Sequence, residues 1–417
     1  MKIENNKFLE AGTWLFFLNI SASALNYLCQ LVMARVLSVE SYGTINTIFS
    51  FMMIVAVPGT TLTMIVARYY ASNDTCNSGR GYLKKQLKIV SMLTIIAFVV
   101  LFILNDVMKN LLAISDGFAL VIAFVLAALG YFQPLYSGIF SGKKRFILVG
   151  IYSLMIPVYK LIAVGGAFLC SKDDTIRLHV LLVIMVIGVL ITALLGQLKT
   201  DKLVGKISKT DTYNKRLYTI DDFNALILNM SLMLYMNIDL LAVRYYGDEK
   251  ESGLYSAVLL FGRIIYYFAT TLGTVLLPSV AEKSLTEKER KSTLNKALML
   301  MVLFSIVCMI PLNLWKTFFV RLLYGQAYVL ASKYMIFVSA ISFALSIYTI
   351  MVNYVVGIGK TKSVTIVMII IDILLLSVLV FMRKIIFILT AIGIIGILGA
   401  IIIYCLSTNK IIDKNKT

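Results

Sequence analysis

Four charged side chains lie inside long apolar stretches of this 417-residue sequence: Lys160, Asp239, Arg263 and Asp372. A charge at the bilayer centre costs at least about 2.5 kcal/mol on insertion scales, so such residues usually pair or face a wet cavity. Lys160 and Arg263 therefore predict a basic cavity for an anionic substrate; a structural ion pair, for example with Asp239, is the alternative. Asp239 and Asp372 are candidates for coupling transport to a proton or sodium gradient.

A second polar feature opens the chain, in "LNISASALNYLCQLVMARVLSVESYG" from Leu18 to Gly43. Its polar residues are spaced by two to four positions, so several share one helical face that could line a wet cavity. The alternative is that Asn and Ser hold neighbouring membrane helices together. We assign a substrate-facing role to Asn19 and to Asn229, which occupies the matching position of a second, similar segment.

Composition indicates an all-α membrane protein. Hydrophobic residues make up 60% of the chain and charged residues 14%, against about 45–50% and about 25% in soluble domains. Twelve apolar stretches are long enough to cross a bilayer, and they must be helical because lipid offers no partner for backbone amides. We predict spans at 12–36, 43–69, 87–105, 117–141, 146–170, 177–199, 219–245, 252–279, 296–318, 332–357, 363–382 and 385–407.

Basic residues predict the orientation. With the amino terminus inside, 26 of the 39 Lys and Arg residues fall in cytoplasmic segments and 11 at outer ends. The positive-inside rule then predicts a multi-pass protein of the cell (cytoplasmic or inner) membrane with both termini in the cytoplasm. This rule also accounts for the net charge of +18, so the charge does not require a nucleic-acid partner.

The sequence contains no motif of an enzyme or of a metal site. We find no glycine-rich phosphate loop, nucleophile elbow or paired-acid constellation, and the five cysteines show no metal-ligand spacing. The only histidine, His179, has no second ligand near it in sequence. We therefore expect neither enzymatic activity nor a bound cofactor.

The chain contains an internal repeat. At an offset of 210 residues, eleven identities fall within the 54 positions from Leu18 to Ala71, without a gap. The offset superimposes span one on span seven and span two on span eight. Six spans in each half give the halves the same direction, so the repeat is parallel, a design typical of transporters. We predict two six-helix bundles, residues 1–205 and 206–417.

Three arginines lie near span ends. Arg35 and Arg244 approach the outside, and Arg68 approaches the cytoplasm. Such side chains can extend to the interface while their stems stay in lipid, or they can line the entrance of a cavity. The sequence leaves both interpretations open.

Four segments carry a family resemblance. They are "LVMARVLSVESYGTINTIFSFMMIVAVPGTTLTMIVARYYA" in spans one and two, "YSGIFSGKKRF" ending span four, "NIDLLAVRYYG" in span seven, and "LLYGQAYVLASKY" from Leu322 to Tyr334. Together they resemble the polysaccharide flippases, the O-antigen and capsule repeat-unit translocases of the multidrug/oligosaccharidyl-lipid/polysaccharide exporter superfamily. The resemblance covers nearly the whole chain.

The resemblance implies two six-helix bundles that form a V-shaped central cavity. It also implies that the chain carries undecaprenyl-pyrophosphate-linked oligosaccharide from the cytoplasmic to the outer leaflet by alternating access, for surface polysaccharide biosynthesis. Cationic cavity residues are general in this group, which implies a substrate-binding role for Arg35, Arg68, Lys160, Arg244 and Arg263. A glycan polymerase and glycosyltransferases of the same pathway are the implied protein partners.

Two other functions remain open. A cation-coupled multidrug exporter would share the fold, but exporters of this superfamily often carry an acidic residue in span one, and residues 12–36 contain none. A membrane glycan polymerase or ligase would be an enzyme of the same pathway. Such enzymes usually have a large outer catalytic loop, whereas the longest connection here, about residues 200–218, is predicted to be cytoplasmic.

Overall fold

The computed structural model describes residues 2–72, 76–208, 211, 213, 217–281, 286–359 and 361–408. The chain divides into two compact units, unit 1 (Met1–Asp222) and unit 2 (Phe223–Thr417). The described helices of unit 1 are α1 (Lys2–Val36), α2 (Val39–Val55), α3 (Val57–Ser72), α4 (Cys76–Ile103), α5 (Asn105–Leu112), α6 (Gly117–Leu129), α7 (Phe132–Gly142), α8 (Phe146–Cys170) and α9 (Asp174–Val204).

Helix α10 (Ile220–Tyr246) begins just before the boundary and leads into unit 2. The remaining described helices are α11 (Glu249–Ala281), α12 (Glu287–Leu314), α13 (Lys316–Tyr324), a 3-10 helix (Gln326–Tyr334), α14 (Met335–Ile358), α15 (Thr361–Phe381) and α16 (Ile385–Thr408).

The prediction of a helical, multi-pass membrane protein is confirmed. Eleven helical segments of the described chain are long and apolar enough to cross a membrane, and the pair α2 and α3, bent by 44°, completes the twelve predicted spans if it counts as one. The ninth predicted span, 296–318, is wrong at its end, because the helix stops at Leu314 and α13 starts after Trp315. Pro311 lies in that last turn and lacks the amide hydrogen that would bond to the carbonyl of Val307, which weakens the end of the helix.

Large apolar side chains cover the outer surface of both units. On α4, Met92, Ile95 and Ile103 are exposed, and on α12 so are Val307 and Leu314. Exposed apolar surface on this scale is unfavourable in water and indicates contact with another apolar phase. Together with the helix lengths, it assigns these faces to the lipid tails.

Corresponding helices make corresponding contacts within each unit. In unit 1, α3 packs along α7, which pairs span two with span four. In unit 2, α11 packs along α14, which pairs span eight with span ten. The same pairing in both units is the structural counterpart of the sequence repeat.

Two glycines one turn apart hold α7 against α3. A Cβ added at Gly138 would lie 2.8 Å from the carbonyl oxygen of Thr63, and one added at Gly142 would lie 2.6 Å from that of Ala67. Small residues four apart allow two membrane helices to approach with their backbones in contact, which is the main source of packing energy in lipid. Position 138 and position 142 therefore require glycine for this packing.

Unit 1 differs from unit 2 in having paired helix breaks. Span two is interrupted between α2 and α3, and span four between α6 and α7. The Tyr131 hydroxyl donates to the carbonyl of Val55 (2.8 Å), and the Thr63 hydroxyl donates to that of Pro134 (3.0 Å). The first bond gives a partner to the carbonyl of Val55, which the break leaves without one in lipid, and the second joins α3 to α7. The matching helix of unit 2, α11, is continuous.

The segment after α9 packs on unit 1. Lys84 donates to the carbonyl of Ser208 (3.1 Å), Lys85 donates to that of Tyr213 (3.4 Å), and the Tyr218 hydroxyl donates to Gln86 (3.0 Å). These contacts place the boundary between the compact units after Asp222, later than residue 205, where we expected the first bundle to end. The division of function between bundles 1–205 and 206–417 stays a prediction.

The α3–α7 contact yields a first prediction. In Gly142→Ala, the new methyl group would press against the α3 backbone, and overpacking of this kind costs about 1–3 kcal/mol. We expect the purified variant to unfold at a lower temperature than the wild type.

Gly165→Ala is the matched control, because a Cβ at Gly165 meets no heavy atom within 4 Å. Alanine favours the helix over glycine by about 1 kcal/mol, so this variant should melt at or above the wild-type temperature. Equal melting of both variants would contradict the backbone contact.

Candidate functional site

Lys160 lies inside unit 1, one turn after Pro157 on α8. Its Nζ atom is 3.3 Å from Oδ1 of Asn26 on α1, to which it donates, and 4.6 Å from the centre of the Phe49 ring on α2. An amide oxygen and the face of an aromatic ring both stabilise a cation, the ring through its quadrupole. The side chain is half-buried. The cation that the sequence places in the middle of span five thus lies in a defined protein environment.

A cavity of about 370 Å³ adjoins Lys160 and is lined by unit 1 alone. Its walls come from both broken spans and from α8 and α9. Apolar lining residues include Phe49, Met52, Met53, Ile156 and Met185, and the polar ones are Thr63, Gln133, Ser137, Tyr159 and Lys160. A concave, mainly apolar site with a few polar groups is the usual form of a small-molecule pocket.

The polar face of α1 serves more than one purpose. Asn26 contacts Lys160. Gln30 is buried and accepts a hydrogen bond from the Tyr42 hydroxyl on α2 (3.2 Å), so this residue joins two helices. Asn19 is exposed and its carbonyl accepts a hydrogen bond from Ser23 (2.9 Å). Asn19 does not line the Lys160 cavity, so its predicted substrate contact stays a prediction.

Arg35 and Arg68 lie outside this cavity. Arg35 is exposed in the last turn of α1. Arg68 forms an ion pair with Asp222, the last residue of unit 1, and its side chain is 61% exposed. An exposed pair of this kind contributes little to stability, and it leaves part of the guanidinium accessible. Their substrate roles stay predictions.

Arg244 is placed differently from the other predicted cations. Its side chain is completely buried in unit 2, where it forms an ion pair with Glu249 (2.8 Å) and donates to the Ser252 hydroxyl (3.2 Å). A buried guanidinium with a carboxylate partner is part of the scaffold, because separating the pair leaves a charge without compensation. We therefore leave Arg244 out of the substrate site.

Arg263 and Asp239 lie in unit 2. Asp239 on α10 is buried and accepts hydrogen bonds from the Tyr255 hydroxyl (2.8 Å) and from its neighbour's amide, Leu240 (2.7 Å). Arg263 on α11 is half-buried and interacts with Asp239 electrostatically, with no direct hydrogen bond between the two side chains in the described structure. The sequence left open a structural ion pair between Arg263 and Asp239. In the structure the two side chains attract each other without direct contact.

Asp372 lies on α15 and faces α10. Its Oδ2 atom accepts a hydrogen bond from Ser231 (2.6 Å), while its buried Oδ1 atom has no hydrogen-bond partner in the part of the chain that the structure describes. The buried Tyr348 hydroxyl, which interacts electrostatically with Asp372, also has no hydrogen-bond partner there. Unsatisfied buried oxygens are unusual in proteins and call for a proton, an ion or a water.

One face of α10 connects the two carboxylates. Ser231, Tyr235 and Asp239 follow at intervals of four residues, so they share this face. The Tyr235 ring stacks on that of Tyr348 with centroids 5.7 Å apart. Asn229 lies on α10 but at a different angle from this face, and it is half-buried. Asp239 and the Asp372 contact at Ser231 thus lie on one face of α10, two turns apart, and Asn229 is not on that face.

His179 has an acidic partner that its sequence neighbourhood does not reveal. It contacts Asp116, which caps α6 through the amides of Phe118 and Ala119. Burial opposes ionisation of Asp116, but the hydrogen bonds from Ala119 and His179 outweigh it and lower the pKa of this carboxyl below its usual value. No group of three or more metal-ligating side chains occurs among the described residues.

Comparison with known proteins shows the fold. No family model matches the sequence, and no curated protein sequence matches it. The structure is similar to an inward-facing multidrug-resistance MATE family transporter of the MOP superfamily, with 13% identity, a TM-score of 0.73, and coverage of 93% of this chain and 96% of that one.

Two further solved structures share the fold. The lipid II flippase MurJ in its inward-closed conformation has 17% identity and a TM-score of 0.73, over 95% of this chain and 87% of that one. A MOP superfamily transporter from Pyrococcus furiosus has 12% identity and a TM-score of 0.63, over 96% of this chain and 94% of that one. The predicted fold class is thereby confirmed, and these structures are transporters and flippases rather than enzymes.

Several residues of these sites escaped the sequence analysis. Gln133 and Ser137 are polar residues one turn apart inside span four, the same signal that drew attention to span one. Tyr255 and Tyr348 carried no signal, because tyrosine is frequent in this chain. Glu249, only five residues from Arg244, could have been recognised as its partner.

The Arg244 pair yields a second prediction. In Glu249→Gln the buried guanidinium loses its counter-ion, and we expect a loss of about 2 kcal/mol in stability, below the range for fully buried pairs because Glu249 is half-exposed. The melting temperature of the purified protein measures the effect.

Asp106→Asn serves as the control, since Asp106 is exposed on α5. The double variant Arg244→Met with Glu249→Gln should regain stability, because no unpaired charge remains buried. If Glu249→Gln melted at the wild-type temperature, the ion pair between Arg244 and Glu249 would not contribute to stability.

Proposed function

We propose that this MOP-fold membrane protein is a flippase for undecaprenyl-pyrophosphate-linked oligosaccharide, serving surface polysaccharide biosynthesis. The observation that carries the proposal is Lys160, a half-buried cation in the middle of a membrane span beside a 370 Å³ cavity. Ionisable residues within membrane spans often mark a substrate pathway, and a cation there suits an anionic substrate. The shared fold with the lipid II flippase MurJ supports a lipid-linked substrate.

The proposed mechanism is alternating access, which the family resemblance implies. The pyrophosphate and sugars enter from the cytoplasmic side, and the polyprenyl tail remains in lipid. Lys160 supplies the compensating charge for the pyrophosphate, with Arg263 as a second cation and Arg35 and Arg68 near the two ends of the path. Binding shifts the conformational equilibrium only as far as the substrate's affinities for the two states differ.

Asp239 and Asp372 are the proposed coupling groups. Both are carboxylates within membrane spans of unit 2, and Asp372 retains a buried oxygen with no hydrogen-bond partner in the described residues. Intramembrane carboxylates are typical of proton and ion pathways. We propose that proton or sodium binding here changes the relative stability of the two conformations and so drives the cycle.

A cation-coupled multidrug exporter is the second candidate. The similarity to multidrug-resistance MATE transporters and the two carboxylates of unit 2 favour it. The absence of any acidic residue between positions 12 and 36 disfavours it. Accumulation of a fluorescent cation, in cells lacking other exporters, distinguishes the two: the flippase has no effect on it.

The proposed path requires the predicted orientation in the cell membrane, with both termini in the cytoplasm. We expect a reporter that is active only outside the membrane to be active when fused after Lys172, between spans five and six. The same reporter fused after Lys206 should be inactive, because basic connections stay inside. The reverse pattern would reject the orientation and, with it, the proposed direction of transport.

The Lys160 site yields the central prediction. At about 5 Å and an effective dielectric constant near 20, one unit-charge pair is worth roughly 3 kcal/mol, so losing it can slow the crossing step by roughly a hundredfold. Lys160→Met should insert normally, since it removes a charge from the membrane. It should leave lipid-linked oligosaccharide on the cytoplasmic face, measured as the amount of this intermediate per cell.

Three variants complete the experiment. Lys160→Arg should retain partial activity, and Arg263→Met should reproduce the accumulation. Lys172→Met, which removes an exposed lysine outside the cavity, is the matched control and should behave as the wild type. Normal surface glycan in both methionine variants, at matched low expression, would show that these charges are structural.

A further inference from the structure

Two polar side chains of α7 face the Lys160 cavity without hydrogen bonds of their own. Gln133 and Ser137 line the cavity one helical turn apart, and both are half-buried. Neither side chain makes a hydrogen bond to any residue that the structure describes. In a membrane span, a carboxamide and a hydroxyl in this condition are costly unless water or a ligand satisfies them.

The wall that carries both side chains is closely packed. The Tyr131 hydroxyl, at the break in span four, donates to the carbonyl of Val55 at the break in span two, and the Thr63 hydroxyl donates to the carbonyl of Pro134. Gly138 holds α7 directly against α3. Gln133 and Ser137 thus lie on a helix that is in backbone contact with its neighbour, and a site held in this way loses less conformational freedom on binding.

The chemistry of the lining matches a sugar. The carboxamide offers both donors and an acceptor, and the hydroxyl offers one donor and acceptor sites, which suits a ligand with several hydroxyl groups. The ring of Phe49 and the side chains of Met52 and Met185 suit its apolar C–H face. The cavity volume of about 370 Å³ lies within the usual range for small-molecule pockets, so a single sugar ring fits in it.

We propose that this cavity binds the sugar attached directly to the pyrophosphate, and that Gln133 and Ser137 are its specificity-determining residues. The inference rests on the proposed flippase function and deepens it. Lys160 lies at one side of the cavity, where it can contact the pyrophosphate while the first sugar contacts α7. The two groups of the substrate are thus recognised by different residues, which makes their contributions separable.

Purified protein in liposomes provides the test. One probe is undecaprenyl pyrophosphate carrying a single sugar, taken from the host's own repeat unit, and the other is undecaprenyl pyrophosphate without sugar. The double variant Gln133→Leu with Ser137→Ala should slow translocation of the sugar-bearing lipid by about tenfold, as expected for lost hydrogen bonds in a buried site. It should leave translocation of the sugar-free lipid within about twofold of the wild-type rate.

Two control variants separate the proposed sugar subsite from the proposed flippase function. Ser141→Ala changes a serine of the same helix outside the cavity and should not alter either rate. Lys160→Met should slow both lipids. If the wild type moves neither lipid, the flippase function fails and the sugar subsite with it; if the α7 variant slows both lipids equally, or neither, only the sugar subsite fails.

A binding measurement that is independent of transport gives the second readout. In a variant with the five native cysteines replaced, Ser137→Cys should react with a small water-soluble thiol reagent. The sugar-bearing lipid should slow this reaction at least about fivefold, and the sugar-free lipid should not, because only a bound sugar covers position 137. Equal protection by both lipids, or by neither, would overturn the assignment.

Discussion

The structure of unit 1 depends on one electrostatic constraint, the presence of the Lys160 ammonium group within a membrane span. Lipid provides no solvation for this charge, so the protein must do so. Asn26 supplies an oxygen and Phe49 an aromatic face, and these contacts require α1 and α2 to lie against α8. The polarity of span one follows from this requirement: part of it stabilises the cation, and part, such as Gln30, joins helices.

The two units differ in the charged groups within their spans, since unit 2 carries two carboxylates in addition to the half-buried Arg263. Unit 1 places a cation beside a cavity framed by broken helices, whereas unit 2 places two carboxylates among tyrosines and keeps α11 continuous. A break frees backbone groups that must find partners, as Val55 does with Tyr131. The two units thus differ where the repeat matches them: span two of unit 1 is broken beside a cavity, and its counterpart in unit 2 is continuous.

The membrane spans could be predicted from sequence because a single physical quantity, the length of an apolar run, decides them. Span five, predicted at 146–170, coincides with α8. The sites depend on packing, which apolarity does not encode. The sequence predicted a substrate contact for both Lys160 and Arg244, yet one contacts an amide and a ring while the other is buried against Glu249. The break in span two coincides with Pro58 and Gly59, a local signal that the apolar run alone does not register.

The difference between these two cations bears on how a carrier works. A group that binds substrate in one conformation and releases it in another must exchange its partners at low cost. The contacts of Lys160 with Asn26 and Phe49 are with neutral groups, and an incoming phosphate competes with them favourably because charge-assisted hydrogen bonds are stronger. Arg244 would have to give up a carboxylate in a buried site, which costs several kcal/mol. The contacts with Asn26 and Phe49 are thus of a kind that a phosphate can replace, whereas the ion pair with Glu249 holds Arg244 in the scaffold.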